Sequence, residues 1–284
     1  MKGNLFFIAL LVLLAQCKDV LTDKEKITIP YGKNKPKGSY ITVDSAKLYY
    51  ESYGTGQPMI IIPGNNGTIE SMKHQIDYFS TKYTVFIMDS RGRGQSEMGK
   101  DSLTYEQMSK DILALMNDRK IDSAYFFGYS DGGITALLIG ISHPEKVIKL
   151  ATFGANISPD STAVYTDVYN KIKAERIHAE QMLLKNDNSK DWTSLMHRYR
   201  LMEFQPNIPP SELTKIKDPV LVMSADQDII REEHTILLHH SIKNSYLCIF
   251  PGEKHNMINT NHSLLNRTIN KFFLLPIDAD KKRI

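Results

Sequence analysis

Residues 124–142 read AYFFGYSDGGITALLIGIS and set the architecture of the chain. The opening residues are apolar and aromatic, which predicts a short buried strand, and the residues from Ile134 onward predict a buried helix. Between them stands the pattern G-x-S-x-G, in which Gly128 and Gly132 flank Ser130. Glycines at these positions relieve the crowding of a sharp strand-to-helix turn, which holds a serine hydroxyl clear of the backbone. The stretch therefore predicts an accessible, reactive serine at the end of a strand.

Short apolar runs alternate with helical segments on both sides of this stretch. Runs that are apolar at every position are typical of strands buried on both faces of a parallel sheet. The helical segments are amphipathic, as in Tyr105–Asn117. A hairpin followed by repeated strand–helix units predicts an α/β protein with a mostly parallel eight-stranded sheet flanked by helices. The predicted strands are Tyr40–Val43, Lys47–Tyr53, Met59–Ile62, Thr84–Met88, Ala124–Gly128, Val147–Phe153, Pro219–Ser224 and Tyr246–Phe250.

One region interrupts this alternation. Between Gly154 and Pro219 the pattern contains no strand, and the segments Ala163–Lys185 and Asp191–Glu203 are helical in character. We therefore expect a helical cap over residues 156–211, inserted into a core formed by residues 39–155 and 212–284. Apolar side chains of the second segment could form a wall of the substrate pocket or pack the cap on the core; they are Trp192, Met196, Tyr199, Met202 and Phe204.

The first 38 residues have a different character. Lys2 and the apolar run from Leu5 to Ala15 are typical of a signal peptide and too short for a membrane-spanning helix. The run ends at Cys17 and resembles a bacterial lipoprotein signal over residues 1–17, although Gln16 replaces the usual small residue. We expect export and a lipid anchor on Cys17 in the cell envelope, or otherwise a periplasmic or secreted protein. Residues 18–38 are then a polar tether.

Composition excludes several classes of protein. The 284 residues carry a formal net charge of +3 and no dense basic patch, which argues against a nucleic-acid partner. Two cysteines cannot form a disulfide framework, and no Cys/His spacing fits zinc. The sequence therefore implies no metal and no organic cofactor.

A reactive serine needs a base and an acid that orients it. His255 stands in a glycine-containing segment after the last predicted strand, whereas His239 and His240 fall within a helical pattern. The acid should follow the preceding strand, where Asp226 and Asp228 are both available. We assign Asp228 as the acid, because the loop has to extend past the end of the strand to reach the histidine. Asp226 is assigned a structural role.

An oxyanion hole needs two backbone N–H groups. One is expected from Asp131, directly after Ser130. The other is expected from the turn after Met59–Ile62, where the sequence leaves Asn65 and Asn66 as equal alternatives.

These motifs resemble the α/β-hydrolases, and in particular the valacyclovir hydrolase branch of that family. The matching stretches span the chain from about Lys47 to Phe273 and are Pro63-Gly64, Asp89–Ser96, Gly128–Leu137, Gly154–Asn156 and Gly252–Asn256. The resemblance implies the α/β-hydrolase fold. It also implies that Asp131 binds the α-amino group of an amino-acid ester, and a bound ammonium would offset a carboxylate beside an oxyanion hole. Alternatively, Asp131 bonds to local backbone or water.

The sequence thus predicts a serine hydrolase of small-molecule carboxylic esters, or more narrowly of α-amino acid esters, acting through an acyl-enzyme on Ser130. An amidase, peptidase or lactonase on the same three residues is an alternative. A ligand-binding protein that has kept the fold and lost turnover is an alternative of a different class. The Asp89–Ser96 segment is predicted to be a structural turn, because its glycine spacing fits no phosphate-binding loop.

Overall fold

A computed structural model describes residues 29–99 and 103–276. The eight predicted strands are confirmed, and the largest extension is in the last strand, which continues past Phe250 to Lys254. The strands are β1 (Gly38–Val43), β2 (Ala46–Tyr53), β3 (Pro58–Ile62), β4 (Thr84–Met88), β5 (Ala124–Tyr129), β6 (Val147–Phe153), β7 (Val220–Gln227) and β8 (Ser245–Lys254).

All eight strands form a single sheet in the order β1-β2-β4-β3-β5-β6-β7-β8. The β1–β2 and β2–β4 pairs are antiparallel, and the other pairs are parallel. The predicted mostly parallel α/β sheet is therefore confirmed. Because parallel strands end at the same edge, the loops that follow β3, β5, β7 and β8 gather there.

Helices cover both faces of the sheet. The helices are α1 (Lys73–Phe79), α2 (Tyr105–Asp118), α3 (Asp131–Ser142), α4 (Thr166–Leu184), α5 (Trp192–Phe204), α6 (Glu232–Ser241), α7 (Met257–Thr260) and α8 (His262–Leu274). Apolar side chains of α2, α3 and α6 share one core with the sheet, and those of α1 and α8 share a second core on the opposite face.

The central strand β3 shows why its sequence is apolar at every position. Ile60 and Ile62 belong to the core under α2 and α3, whereas Met59 and Ile61 belong to the core under α1 and α8. Successive side chains of a strand point to opposite faces, so a strand covered on both sides buries every residue.

The helical insertion, called the cap below, lies between β6 and β7 in the chain. It consists of α4 and α5, which pack against each other. One isolated antiparallel bridge joins Val164 of the insertion to Ile230, which lies after β7. Of the two predicted cap boundaries, residue 156 lies in the connection after β6 and residue 211 lies inside the 3-10 helix Pro210–Lys215. The insertion therefore follows the strand that is next to β5 in the sheet.

The segment before β1 is packed against the sheet. Tyr31 is buried, and the backbone N–H groups of Gly32 and Asn34 donate to the Glu51 carboxylate at 2.9 and 2.7 Å. Glu51 is fully buried, and a buried carboxylate requires such donors. The polar tether was predicted over residues 18–38, but the chain is already packed against the sheet from Tyr31 onward.

The predicted signal peptide over residues 1–17, including Cys17, lies outside the described residues. Within residues 29–99 and 103–276, no helix has both the length and the apolar character needed to cross a membrane.

Candidate active site

Ser130 occupies the sharp turn between β5 and α3. Its φ of 54° and ψ of −119° lie in a region that residues other than glycine rarely adopt, and its N–H donates to the Phe153 carbonyl oxygen at 2.8 Å. A Cβ on Gly128 would overlap the carbonyl oxygen of Gly132, and a Cβ on Gly132 would overlap that of Ile62. Close backbone approach therefore requires both glycines of the G-x-S-x-G pattern.

His255 directly follows β8 and faces Ser130. Its Nε2 lies 3.1 Å from Ser130 Oγ, and its Nδ1 lies 2.6 Å from Asp228 Oδ1. The His255 ring is 17% exposed, whereas the Asp228 side chain has no exposed surface. The structure thus brings the three predicted side chains into one hydrogen-bonded chain, and the distances suit proton transfer between Ser130 and His255.

The surroundings of Asp228 favour its charged form. Burial by itself would raise its pKa, but the charge of His255 and hydrogen bonds from its ring and from the Ile230 N–H at 3.1 Å lower the pKa of Asp228 below its ordinary value. An ionised carboxylate at Nδ1 fixes the tautomer that leaves Nε2 free to accept the serine proton.

Asp226 has a different position from Asp228. Both of its carboxylate oxygens accept from the Gly252 N–H, each at 2.9 Å. Gly252 lies in the part of β8 that leads to His255, so Asp226 anchors the approach to the histidine. This contact agrees with the structural role assigned to Asp226 from the sequence.

The loop after β3, residues 63–67 and called the oxyanion loop below, lies beside Ser130. It turns through a hydrogen bond from the Gly67 N–H to the Gly64 carbonyl oxygen at 3.0 Å. Within the described parts of the chain, the backbone N–H groups of Asn65, Asn66 and Asp131 donate no hydrogen bond. Asp131 is the first residue of α3, where helical N–H groups have no intrahelical acceptor. These donors are therefore available to a developing oxyanion, and the choice between the two asparagines stays open.

The Asp131 side chain is 3% exposed and is bonded within the protein. Its Oδ2 accepts from Asn65 Nδ2 at 2.8 Å. Burial raises the pKa of Asp131, while the nearby Arg93 guanidinium and hydrogen bonding by Asn65 and Tyr105 act in the opposite direction. Arg93 already provides a positive charge near Asp131, so this carboxylate does not need a substrate ammonium to offset it.

Arg93 joins this cluster to the oxyanion loop. It is 3% exposed, and it donates from Nε to the Asn65 carbonyl oxygen and from Nη1 to the Arg91 carbonyl oxygen at 2.9 Å. Burial lowers the pKa of Arg93 to about 10. Arg91 forms a buried pair with Asp111 at 2.7 Å. Both arginines of the 89–96 segment thus bond to groups of the protein itself, as a structural turn requires.

Two side chains near the site were not identified from the sequence. Tyr105 begins α2 and Arg198 lies within α5, and neither belongs to a recognisable motif. The side chains predicted to form an apolar wall occupy different environments. Trp192 is buried, whereas Met196 and Phe204 line a groove of about 470 Å³ between α5 and the start of α2. Only the packing of the cap on the core reveals these positions.

Comparisons with known proteins agree with this fold. The alpha/beta hydrolase fold family matches residues 57–174. The chain is also 25% identical over 232 residues to serine hydrolase BPHL of Homo sapiens, an alignment that covers 76% of this chain and 79% of that protein. The chain has the α/β-hydrolase fold. A shorter match, 34% identical over 108 residues, is to 3-oxoadipate enol-lactonase 2 of Acinetobacter baylyi and covers 37% of this chain and 40% of that protein.

Solved structures show the same fold. An alpha/beta hydrolase enzyme from a Medee basin deep-sea metagenome library superposes with a TM-score of 0.75 at 17% identity and covers 86% of this chain and 100% of its own. An esterase from Exiguobacterium antarcticum superposes with a TM-score of 0.72 at 21% identity and covers 83% and 99%. At these identities the likeness shows the shared fold, and the reaction of this protein has to be argued from its site.

Proposed function

We propose that this protein is a serine hydrolase that cleaves carboxylic esters of small molecules. The observation that carries the proposal is the chain of hydrogen bonds from Ser130 through His255 to Asp228, at 3.1 and 2.6 Å. It lies beside backbone N–H groups of Asp131 and the oxyanion loop that have no acceptor among the described residues. Nucleophile, base, orienting acid and oxyanion donors are the complete set needed for acyl transfer.

In the proposed reaction Ser130 Oγ attacks the ester carbonyl carbon while His255 Nε2 accepts the hydroxyl proton. Asp228 stabilises the imidazolium that forms and stays ionised itself. The carbonyl oxygen becomes an oxyanion held by the Asp131 N–H and by that of Asn65 or Asn66. The C–O bond breaks, the alcohol leaves with the proton from His255, and a water activated by His255 releases the acid from Ser130.

Hydrolysis of p-nitrophenyl esters by the full chain tests this proposal. We expect turnover in the wild type and none in Ser130→Ala, and we expect Asp228→Asn to lower kcat by about 10⁴-fold, because the wrong tautomer of His255 is then held. Labelling of Ser130 by a fluorophosphonate provides a measurement that is independent of the substrate. If neither turnover nor labelling depends on Ser130, the chain is a binding protein and the proposal fails.

A second candidate is preference for α-amino acid esters, which the position of the Asp131 carboxylate directly after Ser130 favours. Because Asn65 Nδ2 already bonds to that carboxylate at 2.8 Å, a substrate ammonium has to displace the Asn65 amide. Paired p-nitrophenyl esters with and without an α-amino group test this candidate in the wild type and in Asp131→Asn. A preference that disappears in Asp131→Asn supports it, whereas equal rates on both esters assign Asp131 to the polar cluster alone.

A further inference from the structure

Helix α5 of the cap touches the core at the edges of the active site. Ser194 Oγ donates to the Gly92 carbonyl oxygen at 2.7 Å, next to Arg93. One turn further along α5, the backbone oxygen of Arg198 accepts from Asn65 Nδ2 at 3.2 Å. The Arg198 side chain donates from Nη1 to Asn66 Oδ1 at 3.0 Å. Both asparagines of the oxyanion loop are therefore bonded to the same residue of the cap.

The core holds the oxyanion loop at Asn65. Arg93 donates to the Asn65 carbonyl oxygen, and Asp131 accepts from the Asn65 side chain. Asn66 is exposed, and among the described residues its side chain bonds only to Arg198. The outer half of the loop, which carries one of the two alternative oxyanion donors, is thus held by the cap.

The Arg198 side chain is itself held in place. Its Nε donates to the Ser194 carbonyl oxygen on the preceding turn of α5 at 3.3 Å, which leaves Nη1 directed at Asn66. A planar guanidinium fixed at one donor loses little further freedom when it bonds at another. The cap therefore presents a partly ordered donor to the loop.

We propose that Arg198 is a positioning residue that holds the oxyanion loop in its working conformation, so that the cap and the oxyanion hole form as one unit. This inference rests on the proposed hydrolase function of the same site. Arg198 acts through the loop and touches none of the reacting atoms. Its contribution should therefore be found in the rate of the chemical step, where the oxyanion develops, and not in ground-state binding.

The size of the effect follows from the geometry. Removing an oxyanion donor outright lowers kcat by roughly 100-fold to 1000-fold. Losing Arg198 leaves the donors in place on a loop that is still held by Arg93 and Asp131, so we expect a smaller loss of about 10-fold in kcat.

The experiment uses the full chain and two esters, neutral p-nitrophenyl acetate and anionic mono-p-nitrophenyl succinate. The variants are Arg198→Ala, Arg198→Lys, Asn66→Ala and the double variant Arg198→Ala with Asn66→Ala. Asn66→Ala removes an exposed side chain and keeps the backbone N–H, so it tests the same bond without disturbing the cap. Arg200→Ala is the matched control, because Arg200 is exposed on the same helix and its guanidinium lies over the Phe204 ring. The rate of fluorophosphonate labelling and the melting temperature are measured for each variant.

We expect Arg198→Ala and Asn66→Ala each to lower kcat about 10-fold on both esters and to change KM less than about twofold. The rate of fluorophosphonate labelling should fall by about the same factor as kcat. The double variant should have a kcat no lower than that of Arg198→Ala, because both substitutions remove the same bond. Arg198→Lys should have a higher kcat than Arg198→Ala, and Arg200→Ala should have the kcat of the wild type. An unchanged kcat overturns the inference, as does a rise in KM confined to the anionic ester, which would make Arg198 a substrate-binding residue. A wild type without Ser130-dependent turnover or labelling overturns the proposed function itself.

Discussion

Lowering the pH is expected to destabilise the protein through a buried histidine at the base of the cap. His234 lies in the first turn of α6, is 3% exposed, and accepts at Nε2 from the Ile157 N–H at 3.0 Å. Only a neutral ring nitrogen can accept this bond. Burial lowers the pKa of His234 from 6.5 to about 4, although the charge of Asp160 acts in the opposite direction. Ile157 lies in the connection between β6 and α4, so the bond holds the entry into the cap.

The sign and the magnitude follow from linkage. Since the folded-state pKa of about 4 lies below the unfolded value of 6.5, the unfolded chain takes up a proton first as the pH falls. The stability that depends on neutral His234 is therefore complete above pH 6.5 and is lost as the pH falls from 6.5 to about 4. Over that window the loss amounts to about 3 kcal/mol of the free energy of unfolding.

Urea unfolding of the wild type and of His234→Gln at several pH values between 7 and 4 measures this loss. Glutamine offers the Ile157 N–H a carbonyl acceptor that does not titrate, so the difference in stability between the two proteins should shift by about 3 kcal/mol in favour of the variant as the pH falls. For His240→Gln, at an exposed position of the same helix, the free energy of unfolding should depend on pH as it does in the wild type. A wild-type and His234→Gln difference that is independent of pH would refute the reasoning.

Three further predictions address the turn, the core and the N-terminus. Gly132→Ala should abolish both labelling and turnover and lower the melting temperature, because the new Cβ overlaps the Ile62 carbonyl oxygen; wild-type activity would contradict this. Arg91→Met should lower the free energy of unfolding, measured in urea, by about 3 to 5 kcal/mol, because Asp111 stays buried without its cation; a loss below about 1 kcal/mol would show that the pair is dispensable. Cys17→Ser should move the protein from the membrane fraction to the soluble fraction and remove incorporation of labelled palmitate; equal fractionation would exclude the lipid anchor.

Most of the fold could be predicted because it depends on neighbouring residues. A strand covered on both faces must be apolar at every position, and β3 is, because its residues alternate between two cores. The turn at Ser130 likewise depends on glycines only two residues away. Such local requirements appear directly in the sequence as periodicity and as small residues at fixed spacing.

The positions of the candidate catalytic side chains were predictable for a related reason. Ser130, Asp228 and His255 each follow a strand, and the ends of parallel strands meet at one edge of the sheet. The order of the elements therefore brings together side chains that are distant in the chain.

The partners of the buried polar groups could not be predicted. Asp131 bonds to Asn65, Arg198 bonds to both asparagines of the oxyanion loop, and Glu51 holds the segment before β1. These contacts depend on how α2, α5 and the N-terminal segment pack, and hydrogen bonds act over about 3 Å while sequence patterns place an element only to within several residues. Periodicity and strand order were enough to establish the sheet, the turn and the order of the site residues. Tertiary packing alone determines whether the carboxylate beside the nucleophile is open to a substrate or bonded to the protein, because that depends on contacts between residues from different elements.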